Sequence, residues 1–529
     1  MFTNLKSSFS MLENFFLRFY TGNDMSDVIT ISREQQDFLN CQSNYVCCMA
    51  YAGSGKTFIL KKFSEKYKEH RILYLAYNKG VQQEAQRKFP DNVKVVTTHA
   101  LAYRYFADLK QKIKLNFGIF DLAKEFNITS FSLRFIVYKT LSNFYFSADE
   151  SINISHVPKE SQNKKTVYKE PERIEALSIA IKAYCLQADP ENDFPCPPDF
   201  FIKHYQLTGP SLDKWYDIIL LDEAQDVNMV TKALLDKCSC MRIYVGDPHQ
   251  MINRWRGSFD VLSAAASEGA KVLRLTESYR FGRKVAAIAN VVLRLKGENI
   301  PLRAYKEDRL LPKKTIQEIY PRTIISRSNL SVIFNAIDAG SKGKKICFVG
   351  GVEKYSLWDI VDYYYLKLNE KEKIKNKAIL EKYPSWDALV KIAKITTDST
   401  LTRAIVLIDE HGSNVTDIVD SITKSSIKSQ DEADLILVTA HSSKGLDWNV
   451  VEIDGDFPSM IEYLERIGNK TDQIDYAYIN DELNLLYVAV TRAIDTLGIS
   501  ACVMELIMHI QRLQKANKFK PLVSFSQLQ

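Results

Sequence analysis

Residues 50–57 read AYAGSGKT, preceded by the apolar run Tyr45-Val46-Cys47-Cys48-Met49 and followed by Phe58-Ile59-Leu60. The order is that of a strand, a glycine-rich turn and a helix. Such a turn aims successive backbone N–H groups and a helix N-terminus at one point, so it can hold a chain of phosphates. Lys56 is placed for the β- and γ-phosphates and the Thr57 hydroxyl for Mg²⁺, with Ala52, Gly53, Ser54 and Gly55 as the cradle. Ala50 stands where the general pattern has glycine, so the stretch alone is also compatible with a chance glycine turn.

A second stretch completes the chemistry. Residues 216–226, YDIILLDEAQD, form an apolar strand that ends in acids. Asp222 at the strand end is placed to bind Mg²⁺ through water opposite Thr57, and Glu223 beside it to polarise an attacking water. Together the two loops describe an ATP hydrolysis site.

The 529 residues suffice for about three or four domains, and 46% apolar content supports well-formed cores. Net charge is +6 with a pI near 8.6, compatible with a nucleic-acid partner without demonstrating one. Nine cysteines without a CxxC pair offer neither a zinc site nor a disulfide framework. They read as small apolar residues in a reducing compartment. No run reaches the roughly 20 apolar residues of a membrane span. We expect a soluble intracellular protein, cytoplasmic, or nuclear in a eukaryote.

Residues 1–27 stand apart, with Phe9, Leu12, Phe15, Phe16 and Tyr20 at helical spacing. They read as a docking helix or as sequence upstream of a start at Met25, with targeting as a third reading. From Ile31 strand-like runs alternate with helices, as a parallel sheet requires, at residues 45–49, 72–76, 93–96, 218–221 and 243–245. Residues 99–206 turn helical, notably around 131–144 and 172–186, and read as an inserted subdomain. A second α/β series starts at Val272 and includes strand-like runs at 323–326, 346–350, 404–408, 435–438 and 450–453. The lysine-rich segment 370–394 reads as a solvated helix pair, or as a basic nucleic-acid contact.

DEAQD joins further segments in the order found in superfamily 1 helicases, and the chain resembles the UvrD/Rep group. Ile31-Ser32-Arg33-Glu34-Gln35 resembles the adenine-reading Q motif, residues 76–79 motif Ia and residues 97–99 motif Ib. Residues 245–257, VGDPHQMINRWRG, resemble motif III, TESYR at 276–280 motif IV, TAHSSKGLD at 439–447 motif V and LYVAVTRA at 486–493 motif VI. With SRSN at 326–329 and FVGG at 348–351, the set is most similar to the F-box DNA helicase branch. Relatives commonly open the phosphate loop with alanine, which accommodates Ala50.

The resemblance implies an α/β fold of two RecA-like parallel-sheet domains. It divides the chain into an extension at 1–27, domain 1A at 28–103 and 207–271, and a helical 1B insertion at 104–206. Domain 2A follows at 272–369 and 401–505, with a reduced 2B insertion at 370–400 and a tail at 506–529. It implies catalytic roles for Lys56, Asp222, Glu223, Gln250, Arg280 and Arg492, the two arginines reaching the γ-phosphate from the second domain. Gln35 would read adenine, Tyr279 stack on it, and Asp447, where relatives often carry glutamate, reach the ribose. Tyr77, Asn78, Thr98, His99, Trp255, Arg256, His441 and Lys444 would grip single-stranded DNA, with Thr98, His441 and Lys444 near the sugar-phosphate backbone or the coupling loops. Any one of these rings, or His441, can equally be core.

The implied activity is ATP-driven 3′ to 5′ movement on single-stranded and 3′-tailed duplex DNA, in repair or recombination. The alternative is a motor subunit whose output belongs to a partner nuclease or recombination factor; a third reading is an ATP-gated binding protein. We read neither an F-box ahead of Ile31 nor a nuclease-like cluster after motif VI.

Overall fold

The computed structural model describes residues 31–161, 167–254, 257–355, 357–396, 399–468, 474–515 and 521–523. The expected helix within 1–27 and the candidate residues Trp255 and Arg256 lie outside the described residues.

The loop at 51–55 leaves the C-terminal end of β1 (Tyr45–Ala50). This strand is inner because both neighbours supply hydrogen-bonding edges and both of its faces are covered. The sheet is completed by β2 (Ile72–Ala76), β3 (Val93–Thr97), β4 (Ile218–Leu221), β5 (Met241–Gly246) and β6 (Lys271–Leu275), in the order β3-β2-β4-β5-β1-β6, all parallel. Alternation along β1 sends Cys48 to the face covered by the helix Lys56–Lys66 and Cys47 to the opposite face, where it joins the core of the helical insertion. The two adjacent cysteines are thus apolar filling in two different cores.

Between β3 and β4 the chain is helical, with Phe131–Phe146 and Glu170–Ala188 where the sequence places them. Val272 corrects the sequence reading. It pairs in parallel with Cys47 as part of β6, so the first sheet ends after Leu275 rather than before Val272.

A small two-stranded sheet follows, of β7 (Glu277–Gly282) and β8 (Arg303–Lys306). The second six-stranded parallel sheet contains β9 (Arg309–Pro312), β10 (Arg322–Ser326), β11 (Ile346–Phe348), β12 (Leu435–Thr439), β13 (Trp448–Ile453) and β14 (Ala493–Ile499), ordered β11-β12-β10-β13-β14-β9. Residues 404–408 are not a strand. They lie in the helix Ser399–His411, because Leu401, Ala404, Leu407 and Ile408 recur at helical spacing and bury one face. The helical excursion between β11 and β12 therefore extends from Leu357 to Ser425, well beyond 370–400.

One core spans both halves: Tyr51, Ala52 and Ile252 from the first pack with the helices Arg283–Leu295 and Tyr476–Val490 of the second. The second sheet also holds a buried ion pair, Arg322 Nε to Glu452 Oε2 at 2.9 Å, whose guanidinium donates at 2.9 Å to the Gln317 carbonyl. Removing one partner strands a buried charge. Glu452→Ala is expected to cost about 3–5 kcal/mol of folding stability, seen as a lower thermal midpoint.

Candidate active site

Gly53 and Gly55 make the turn after β1 with φ of 74° and 82°, in the left-handed region that a Cβ disfavours. A Cβ on Gly53 would collide with Ser278 Oγ and come within 2.8 Å of Arg280 Cβ. The loop is thus closed over by β7. Its floor is prepared for an anion: Ser54 Oγ is buried without a hydrogen-bond partner among the described residues. Lys56 Nζ lies 4.0 Å from Glu223 Oε1, and Thr57 follows it in the first helical turn.

Asp222 and Glu223 leave the end of β4. Asp222 accepts a short hydrogen bond from Tyr74 OH on β2 and a 2.9 Å bond from the Glu223 N–H. Burial, and then the adjacent Glu223 carboxylate, push the Asp222 carboxyl upward. Burial acts the same way on Glu223, but Lys56, Lys444, the Gln225 amide and Arg492 outweigh it and hold Glu223 ionised. Among the described residues Glu223 is also one of the few non-glycine residues with positive φ, at 50°. Left-handed backbone costs such a residue roughly 1–2 kcal/mol, and it aims this carboxylate between three cations.

The second half supplies two guanidiniums. Arg492 is 1% exposed; its Nε donates to the Val488 carbonyl at 2.8 Å and its Nη1 to the Leu446 carbonyl at 3.0 Å. It has no ion pair among the described residues, and burial together with neighbouring Arg280 pulls it down to about 9. Arg280 Nη1 donates at 3.1 Å to the Thr491 carbonyl, and its Nε meets Asp447 Oδ2 at 3.0 Å. In the structure Arg280 lies within β7, and Arg492 lies between the end of a helix and β14.

A cation buried beside another cation, over a glycine cradle with an orphaned hydroxyl, is a site with room for a polyanion. These residues fit ATP, with Thr57 and Asp222 as the donors suited to Mg²⁺.

At the base end, Gly55 lies between Gln35 and Tyr279: a Cβ there would be 3.2 Å from Gln35 Nε2 and 3.9 Å from Tyr279 Cδ2. The Tyr279 ring is 42% exposed, free to stack. Gln35 is buried, and its amide is engaged inside the chain, accepting from the Ser32 N–H at 3.2 Å and donating to the Ser54 carbonyl at 3.3 Å. It braces the loop.

Two of the expected residues have partners inside the chain. Lys444, expected near the sugar-phosphate backbone or the coupling loops, has its ammonium enclosed by Asp226, the Gln250 carbonyl at 2.7 Å and Glu223 at 3.5 Å. Asp447, expected on the ribose, is the partner of Arg280.

The remaining candidates gather elsewhere. Tyr77, Asn78, Thr98 and His99 line one cavity of about 500 Å³ between the first sheet and its helical insertion, which adds Tyr138 and Phe146 to the walls. Asn78 also caps the helix Lys79–Lys88, accepting from the Val81 N–H at 2.9 Å, and His99 Nε2 meets Asp199 Oδ1 at 3.1 Å. His441 sits at the end of β12 in a short helix capped by Thr439, the arrangement that Thr97 gives His99 at the end of β3.

A chain of contacts links the two regions. Gln250 Nε2 donates to Asp247 at 2.7 Å, while its Oε1 faces Arg492 Nη2 at 3.5 Å. Its carbonyl holds Lys444, which pairs with Asp226; Asn253 then donates both to Asp226 at 3.1 Å and to Tyr77 OH at 2.9 Å. Asp226 was visible as the last acid of DEAQD, but Asn253 carried no signal.

With this geometry in place, comparison with known proteins is decisive. The UvrD/REP helicase N-terminal domain matches residues 31–264, and the UvrD-like helicase C-terminal domain matches residues 352–504. The chain belongs to the UvrD-like helicase family. It is similar to F-box DNA helicase 1 of Gallus gallus, at 30% identity over 90% of this chain and 49% of that protein. It is also 30% identical to F-box DNA helicase protein 1 of Schizosaccharomyces pombe, over 88% of this chain and 56% of the relative. A probable DNA helicase II homolog of Mycoplasma genitalium is 22% identical over 89% of this chain and 84% of its own. The chain thus spans about half the length of the two F-box DNA helicases it matches.

Two substitutions separate the ends of the site. Arg492→Ala is expected to lower ATP turnover by about 10³-fold or more, measured by phosphate release. Tyr279→Ala is expected to weaken binding of a fluorescent ATP analogue by roughly tenfold, and Tyr279→Phe to leave it nearly unchanged.

Proposed function

We propose that this chain is an ATP-driven motor that moves 3′ to 5′ along single-stranded DNA and unwinds duplexes in repair or recombination. The observation that carries the reading is the split site. Lys56 and Glu223 stand on the first half, and the buried Arg492 with the half-buried Arg280 arrives from the second. Polarity and pathway rest on the family resemblance, and the relatives named as DNA helicases support DNA as the track.

In this reading Lys56, the loop amides and the two guanidiniums hold the phosphates, and Tyr279 holds the base. Bound Mg²⁺ would supply charge neutralisation at the phosphates. Glu223, kept ionised by its cations, accepts the proton of the attacking water. Arg280 and Arg492 stabilise charge that develops on the γ-phosphoryl group. Loss of that group changes what Arg492 faces, and Gln250 is its neighbour.

The path Gln250, Lys444, Asp226, Asn253, Tyr77 leads from there to the cavity where a strand would be gripped. The grip is alternated by domain closure. It takes hydroxyl, imidazole and aromatic groups, which hold a strand without reading its sequence.

ATP turnover with and without single-stranded DNA, and displacement on 3′- and 5′-tailed duplexes, test the reading. Stimulation by DNA with displacement on the 3′-tailed substrate is expected. Turnover indifferent to DNA contradicts the motor, and stimulation without displacement favours a motor whose output belongs to a partner.

A further inference from the structure

One buried cation has no part in the site described above. Lys296 ends the helix Arg283–Leu295, and its ammonium lies inside the seam between the two halves, 6% exposed and without an ion pair among the described residues. Its partners are neutral. Nζ makes a short hydrogen bond to Asn484 Oδ1, on the helix Tyr476–Val490, and lies 2.9 Å from His249 Nδ1.

His249 is 1% exposed, and its other nitrogen, Nε2, faces Glu298 Oε2 at 3.5 Å. That arrangement selects one tautomer. Nδ1 must be bare to accept from Lys296, so the ring proton sits on Nε2 toward the carboxylate. Asn484 uses its second end as well, donating from Nδ2 to the Met251 carbonyl at 2.8 Å.

His249 and Met251 flank Gln250 on either side. The second half therefore grips the turn through the residue before Gln250 and the residue after it, while Arg492 and Lys444 meet Gln250 itself. Burying an ammonium without a carboxylate is costly, and packing alone would favour an apolar side chain here. Two directed hydrogen bonds supply what an apolar residue cannot, a fixed register between the helix end and the turn.

We propose that Lys296, acting with Asn484, is a positioning residue that holds the turn 248–251 so that Gln250 faces Arg492 when the two halves are docked. Its hydrogen bonds among the described residues go to His249 and Asn484, outside the phosphate loop and the base pocket. Its loss should therefore slow turnover without weakening nucleotide binding. The inference rests on the proposed reading of Gln250 as a link in the ATP site.

Lys296→Met and Asn484→Asp test it. The first keeps the length of the side chain and removes its donors. The second keeps an oxygen for Lys296, now as a charged pair, but removes the donor to Met251, so it separates positioning from stability. Both variants are expected to lower kcat for ATP by about tenfold or more with KM within about twofold. Asn484→Asp should do so without a lower thermal midpoint. Amide hydrogen exchange of residues 247–251 should quicken in both, a readout that holds whatever the turnover. Unchanged kcat with unchanged exchange overturns the inference, as does a parallel loss of kcat, nucleotide affinity and thermal midpoint in both. Failure of the motor reading looks different: wild-type turnover would ignore single-stranded DNA while the two variants still departed from wild type.

Discussion

The burial of Arg492 beside Arg280 is the constraint on which the rest depends. A guanidinium removed from water needs a carboxylate or neutral oxygens, and among the described residues Arg492 has carbonyl oxygens and the Thr491 hydroxyl but no ion pair, with a second cation as neighbour. Such an arrangement persists because two helices and β14 lock the residue in place through the core shared by both halves. The cost falls when a polyanion enters. The phosphate loop, the left-handed Glu223 and the exposed Tyr279 ring are then parts of one pocket whose electrostatic deficit lies on the second half.

This distribution explains why directed polar contacts accompany the apolar core that the two halves share. Lys444 crosses to Asp226 and Glu223, Lys296 to His249, and Tyr487 OH accepts from the Ala52 N–H at 3.3 Å. Each contact is directional and breaks if the halves shift by an ångström or two. A seam of this kind has few intermediate positions, a property suited to a device that alternates between two grips.

Much of this was legible in the sequence, because the chemistry is concentrated at strand ends. A parallel strand buried on both faces reads as an apolar run, and the residues just past it face the cleft, so Lys56, Asp222 and Glu223 could be named from spacing. The family resemblance then supplied Gln250, Arg280 and Arg492, whose roles no local pattern discloses. Three kinds of feature stayed hidden. Residues 404–408 are an apolar run too short for periodicity to separate strand from helix, and only the burial of Leu401, Ala404 and Leu407 on one side decides it. Val272 looked like the start of a new domain because β6 pairs with β1 across more than two hundred residues of sequence. Lys296 reads as an ordinary lysine, and the buried pairing of Lys444 is equally invisible, since a buried ammonium differs from a solvated one only in tertiary partners.

The central claim is that nucleotide held between the halves sets the grip on the strand. The most direct test is the affinity of a labelled single-stranded oligonucleotide, followed by fluorescence anisotropy with and without a non-hydrolysable ATP analogue. The account predicts that the analogue shifts affinity in the wild-type chain and leaves it unmoved in Arg492→Ala. Equal affinity with and without analogue in the wild-type chain, at nucleotide saturation, would contradict it.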